Sequence, residues 1–499
     1  MVSNRGIPAF FDLDHTVLAR SSGELYVRAM KEKGLLNFLD LSRIVALTFL
    51  YRMNLLDPER LVSRFATRYR GVLEEEVIAF CDPWFEGEEK LRRLEERNMP
   101  SPLEGFRVLD LSQFLSGPRC TQLLAQAGAE VVKVEQPGGE TMRLLTRASG
   151  MERMMSLING DKKCMTLDLK KDAAREIFRR LVAVSDVLVE NFAPGTMDRM
   201  RLGYEDLREI NPRLIYAVIT GFGRTGPYAD RLAFDIIAQA MGGIMAANER
   251  EDRPPAIFFA DLVAGAYAAN GILLALLHRQ RTGMGQLVDI SLQDVMYFHN
   301  FPAQCQRALE EVQEEIRGLI GKTLDRLFAD PESPVPFWYS YKALDGYVVV
   351  VALTDHHWNS LLRAIGREDL VGDERFNNIV ARVRNARQGL AVILPWMETR
   401  TVGEIVDVFY KAKVPCGPVL GERQVNEHPQ LRARGMLQEG MHPRLGTVPM
   451  PGCPMRLTES PCQVSGPCPD AGAHTEEILK RLLQLSDAEV LALRDSGAI

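Results

Sequence analysis

No C-x-x-C pair occurs among the eight cysteines of this 499-residue chain, so the spacing used by thioredoxin-like redox sites and many structural zinc sites is missing. No signal peptide precedes them, and free thiols in a reducing cytoplasm are the expectation. No apolar run reaches the roughly 20 residues that span a bilayer. The most membrane-like stretch, Phe38 to Leu56, is broken by Asp40, Arg43 and Arg52; it reads as an amphipathic helix, and no membrane partner is expected. No dense Lys/Arg patch interleaves with aromatics, and the formal net charge is -6, which argues against nucleic acid as a partner. Histidine is scarce too: none of the eight lies between His15 and His278, a gap that limits proton-transfer chemistry. Internal repeats and low-complexity tracts are absent. What is present, 46% apolar and 25% charged residues, suffices for two to four ordinary globular domains.

The pattern changes once, at Asn98-Met99-Pro100-Ser101-Pro102, where two prolines stop a charged helix. Before it, one short apolar run, Ile7 to Leu13, is followed by helical patterning. After it, strands are expected from Arg107 to Ser112, Glu130 to Glu135, Val187 to Glu190, Leu214 to Ile219 and Gln286 to Leu292. Helices are expected between them, from Pro118 to Ala127, Ala173 to Val184 and Leu262 to His278. Such alternation predicts right-handed βαβ units and a parallel sheet buried on both faces. A second unit starts at Phe337, with a turn at Asp345-Gly346. A tail rich in Pro and Gly runs from Pro443 to Gly466, and a last helix starts near Thr475.

Asp12 and Asp14 end the first apolar run, in Phe10-Phe11-Asp12-Leu13-Asp14-His15-Thr16. In a D-x-D-x-T arrangement one aspartate can attack phosphorus while the other handles the leaving-group proton, with magnesium on the phosphoryl oxygens. The segment resembles the first motif of haloacid-dehalogenase-like (HAD-like) hydrolases, phosphoserine phosphatases among them. The resemblance stops near residue 100, before the later groups that neutralise the transferring phosphoryl. Residues 1–100 are therefore expected to be a truncated, mainly helical, non-catalytic fragment. Metal at Asp12 and Asp14, and phosphatase activity, are expected only if that fragment is active.

A second set of residues suits an anionic nucleotide. Ser116-Gly117-Pro118 opens a helix straight after a strand, as a tight turn or as a cradle of backbone N–H groups for phosphate. Lys162 and Lys163 follow a Gly-Asp turn, either as solvated charges or as phosphate contacts. Gly221-Phe-Gly223-Arg-Thr-Gly226 matches G-x-G-x-x-G, but Pro227-Tyr-Ala-Asp-Arg231 intervenes before the next helix. A loop closing over an active site fits it better than a dinucleotide fingerprint. Asp261 lies between Ile257-Phe-Phe-Ala260 and a helix rich in Ala and Gly. Locally it reads as a helix N-cap, a position that also favours an ionised carboxylate.

From Leu103 onward the chain resembles family III CoA-transferases, the CaiB/BaiF family. Besides the segments above, Leu103 to Ser112, Ala127 to Glu135, Asn159 to Lys163, Asp186 to Gly195, Arg281 to Gln286, Val414 to Pro418 and His474-Thr475 carry the likeness, in order. The resemblance implies an α/β fold. A Rossmann-like parallel-sheet large domain would occupy residues 101–320 and a smaller α+β domain 321–440, with 441–499 returning to the large domain. It implies an interlocked homodimer, and coenzyme A as substrate and product with no permanently bound cofactor. Gln113, Ser116, Gly117, Lys162, Lys163, Asn191, Phe192 and Arg199 are the implied CoA contacts, while Gln136 stands where family members can carry an arginine. The family's nucleophilic aspartate falls at Asp261. It would attack a donor acyl-CoA to give a mixed anhydride and then an aspartyl-CoA thioester, which a carboxylic acid acceptor resolves. The family's Gly-rich shield is matched only by Gly318-Leu-Ile-Gly321. α-Methylacyl-CoA racemases of the same family place a His before an Asp beyond the Gly-Pro loop; Phe234-Asp235 stands here, so transfer is expected over racemisation.

Overall fold

A computed structural model describes residues 101–247, 252, 253, 255–309 and 335–499. Asp12, Asp14 and the remainder of 1–100, like Gly318-Leu-Ile-Gly321, lie outside the described residues. Six short apolar segments form the main sheet: β1 (Arg107–Asp110), β2 (Glu130–Glu135), β3 (Lys163–Thr166), β4 (Val187–Glu190), β5 (Ile215–Thr220) and β6 (Leu287–Ser291). Every pairing in it is parallel, in the order β3-β2-β1-β4-β5-β6. Because strand side chains alternate between faces, Val108 and Val131 enter one apolar layer while Leu109 and Val132 enter the other.

Among the helices that cover this sheet are α1 (Ser116–Gln126), α2 (Asp172–Ala183), α3 (Asp235–Met241), α4 (Phe259–Thr282), α5 (Leu292–His299) and α6 (Thr475–Leu483). Residues of α1, α3, α4 and α5 fill the first layer, and residues of α2 and α6 the second. Covering both faces is what lets parallel strands be almost wholly apolar. α4 starts at Phe259 rather than Leu262, since its first turn is already wound before the aspartate. It lies along α1, and Gly265 permits that approach: a Cβ there would stand 2.4 Å from the Ser116 carbonyl oxygen.

A separate core gathers Phe337, Tyr341, Trp358 and Phe409 around an antiparallel sheet of β7 (Trp338–Lys342), β8 (Tyr347–Val351) and β9 (Cys416–Pro418). A hairpin, β10 (Leu437–His442) with β11 (Gly446–Pro451), occupies part of the Pro/Gly-rich tail. Its prolines are tolerated because both strands of a two-stranded sheet are edges. The C-terminus then returns to the main sheet, where Ile478 and Leu479 of α6 are fully buried and the His474 N–H bonds the Cys164 carbonyl at 2.8 Å.

Candidate active site

The strand order reverses direction between β1 and β4, and in doubly wound sheets ligands bind outside the carboxyl ends of the strands at that switch. Here the two loops leaving β1 and β4 are zipped by one side chain. Asn191 Oδ1 accepts the Gln113 N–H at 2.8 Å, and its Nδ2 donates to the Gln113 carbonyl at 2.8 Å and to Ser116 Oγ at 3.1 Å. Between them Phe114 takes a left-handed backbone, φ 59°, which is rare for a bulky side chain and concentrates at functional sites. Glu140 Oε2 holds its N–H at 3.1 Å. α1 begins at Ser116 with no side-chain cap, and Pro118 is its third residue, not its first. Gly117 has to be glycine, because a Cβ would lie 2.1 Å from the Ser112 Cβ.

Asp261 is not a helix cap. Phe258 occupies the N-cap position, Asp261 is the third residue of α4, and no side chain caps the helix start. Asp261 is half-buried and lies near the start of α1, where the Ser116 hydroxyl favours its ionised form. Its N–H is accepted by Asp235 Oδ1 at 3.0 Å. Burial, reinforced by the charge of Asp235, pushes the Asp261 carboxyl up to about 7 against the pull of Ser116. The helix start does not hold it fully ionised, as its sequence position suggested: desolvation outweighs a half-charge dipole.

Lys162 corrects a second expectation. Its ammonium is enclosed, donating to Asp110 Oδ2 at 2.9 Å, Asn159 Oδ1 at 2.7 Å and the Pro118 carbonyl at 3.0 Å. All three of its donors are thus used inside the protein, and no face is left for a phosphate. Burial alone would raise the Asp110 carboxyl, but Lys162, Lys133 and the Ser112 and Thr121 hydroxyls hold it well below the usual range. Lys162 itself is drawn below an ordinary lysine by burial, opposed by the charge of Asp110. Lys163 is also directed elsewhere, pairing with Glu477 at 2.6 Å and with Glu130, at the opposite end of β2, at 3.5 Å.

A cavity of about 180 Å³ opens beyond β4 and β5, lined by Phe192, Thr196, Tyr216, Thr220 and Arg224 and floored by Glu190. Burial pushes the Glu190 carboxyl up to about 7, although the Phe192 N–H (2.7 Å) and the Tyr216 hydroxyl (3.3 Å) both donate to it. Thr220 Oγ1 is buried without a partner. Arg199 stands at the rim of the same loop, its Nη2 on Thr196 Oγ1 at 3.0 Å. The Gly221-to-Gly226 loop supplies Gly223 and Arg224 to the lining and is pinned by the Arg224 N–H on Asp289 Oδ2 at 2.9 Å. Gln136 is exposed, its amide turned to the Gly139 carbonyl at 3.1 Å. Glu190, Thr220 and Asp235 were not singled out as site residues from the sequence; the signal available was a polar residue closing an apolar strand or opening a helix. Among the described residues no group of three or more His, Cys, Asp or Glu side chains is arranged to hold a metal.

A doubly wound sheet of this kind commonly binds nucleotide-bearing ligands outside the carboxyl ends of its strands. The chain belongs to CoA-transferase family III, whose model matches residues 103–475, and it is a CoA-transferase. It is similar to the formyl-CoA:oxalate CoA-transferase of Streptomyces avermitilis, 35% identical over 417 residues that cover 80% of this chain and 100% of that one. It is similar also to the succinyl-CoA:glutarate CoA-transferase of Homo sapiens, 30% identical over 410 residues, with 81% and 91% covered. Among solved structures, a CaiB/BaiF family protein from Brucella suis matches with a TM-score of 0.64 and 32% identity, over 77% of this chain and 100% of that chain. The family match begins at residue 103, so it lends nothing to a hydrolase reading of residues 1–100.

Proposed function

We propose that the protein moves CoA from an acyl-CoA donor to a carboxylic acid by covalent catalysis, with Asp261 as nucleophile. The observation that carries this is the half-buried Asp261 carboxylate in the first turn of α4, the helix that packs along α1 with Gly265 against Ser116. Its oxygen attacks the thioester carbonyl and expels CoA thiolate. The thiolate then attacks the aspartyl carbonyl and frees the donor acid, and the acceptor carboxylate takes the CoA in the reverse order. Backbone N–H groups of Ser116 and Gly117, at an uncapped helix start, suit the developing oxyanions. Gln113 and Asn191 shape the crevice for CoA, and Phe192 and Arg199 flank the cavity for its nucleotide end. The Streptomyces and human relatives act on oxalate and glutarate, which supports a dicarboxylic acid as acceptor. A second copy of the chain is the proposed cover for exposed Phe234, Phe258, Leu274, Phe298 and Phe301, in keeping with the interlocked homodimer the resemblance implies.

The nucleophile must be ionised to attack. With its carboxyl near 7, kcat/KM should fall about tenfold for each pH unit below that value and level off above it. A flat profile between pH 5 and 8 would contradict a titrating Asp261. The activity itself is tested by incubating the protein with formyl-CoA or succinyl-CoA and a panel of mono- and dicarboxylic acids, the new thioesters being identified by mass. Transfer to at least one acid is expected; exchange of an α-hydrogen without acceptor would point instead to racemisation.

A further inference from the structure

A buried pair on α3 braces the turn that carries Asp261. Gln239 is fully buried, and its Nε2 donates to Asp235 Oδ2 at 2.5 Å and to the Ile257 carbonyl at 3.0 Å. Asp235, 6% exposed, uses Oδ1 to accept the Asp261 N–H at 3.0 Å. Ile257 and Asp261 are the two ends of the segment entering α4, so both are tied to a single turn of α3. The same contact sets a second carboxylate beside the nucleophile, and none of the ion pairs among the described residues involves Asp235.

We propose that Asp235, fixed by Gln239, is a positioning residue for Asp261 that also drives it toward its uncharged covalent forms. This rests on the reading of Asp261 as nucleophile. When Asp261 attacks, a C–O bond forms, the thioester C–S bond breaks, and the electron pair leaves on the CoA thiolate. In the second step the thiolate forms a C–S bond with the aspartyl carbonyl, the anhydride C–O bond breaks, and the donor acid leaves as a carboxylate. Asp261 is neutral in both adducts, so repulsion from Asp235 is relieved when an adduct forms and restored when it is resolved. Two adjacent carboxylates disfavour double ionisation, and Asp235 is a cause of the raised Asp261 carboxyl. The elements packed on α4 also present Arg119 and Cys120 of α1, Tyr216 of β5, Asp289 of β6, and Asp294, Tyr297 and His299 of α5. Of these side chains and Asp235, it is Asp235 that hydrogen-bonds the Asp261 backbone.

Asp235→Asn keeps an oxygen for the Asp261 N–H and removes the charge, losing only the hydrogen bond that Oδ2 accepts from Gln239. The acid limb of kcat/KM should then move about one pH unit lower, and the fraction of enzyme trapped as aspartyl-CoA should fall about tenfold. Asp235→Ala also loses the brace, and kcat should drop on the order of 100-fold with little change in CoA affinity. Should Asp235→Asn not fold, judged by circular dichroism, the difference in acid limb between Asp235→Glu and Asp235→Gln reads the same charge. An unmoved limb together with an unchanged adduct fraction overturns the proposal. If Asp261→Asn is inactive while Asp235→Asn matches wild type, this inference alone fails; if Asp261→Asn transfers CoA normally, the reading beneath it fails.

Discussion

Asp261→Asn is expected to reduce CoA transfer on the order of a million-fold, the scale of loss when a covalent nucleophile is removed. The substitution keeps the shape of the side chain and its place against Ser116, so folding should survive. An amide is a far poorer nucleophile than a carboxylate, and the anhydride pathway closes. Affinity for CoA, measured by calorimetry, should change little, because the proposed nucleotide contacts lie across the crevice on the loops after β1 and β4. The mutant therefore separates chemistry from binding. A variant that binds CoA normally yet retains more than about a hundredth of the activity would be incompatible with covalent catalysis at this residue.

Lys162→Ala should cost about 3–5 kcal/mol of stability, since it leaves the Asp110 carboxylate buried without its nearest cation. That is a large part of the roughly 5–15 kcal/mol by which folded proteins exceed their unfolded states. The sign with pH follows from Asp110. Its folded-state pKa is depressed, so its contribution is present above the ordinary carboxylate range and is lost only as pH falls through the depressed value. The wild-type advantage over Lys162→Ala should thus persist from pH 8 to pH 5 in urea titrations. Asp110→Asn combined with Lys162→Met should recover much of the loss, because both charges are then absent. A stable Lys162→Ala protein with a raised KM for acyl-CoA would instead restore this lysine as a phosphate contact.

Much of the fold was legible because its signals are local. β2 and β4 span the residues expected for them, Glu130–Glu135 and Val187–Glu190, since apolar β-branched runs between turn residues leave little alternative. The hairpin of β10 and β11 was not foreseen, as Pro449 and Pro451 read as breakers until both strands prove to be edges. Asp261 was legible as a position through the ordered family segments, yet its environment was not. Nothing near it in sequence announces Asp235, 26 residues earlier, or the serine on another helix that meets it. Lys162 misled for a related reason: a lysine after a Gly-Asp turn looks solvated, and only the packing of α1 and β1 shows that its partners lie inside. Long-range burial decides the charge state of a group, and local sequence carries little of that information.

Trapping the covalent intermediate tests the central claim most directly. Wild-type protein is mixed with succinyl-CoA in the absence of acceptor, quenched, digested, and the peptides are weighed. A peptide containing Asp261 should carry the mass of CoA, hydroxylamine should convert it to the hydroxamate, and Asp261→Asn should show neither. Transfer that proceeds with no adduct, or with the adduct on another carboxylate such as Glu190, would contradict the account.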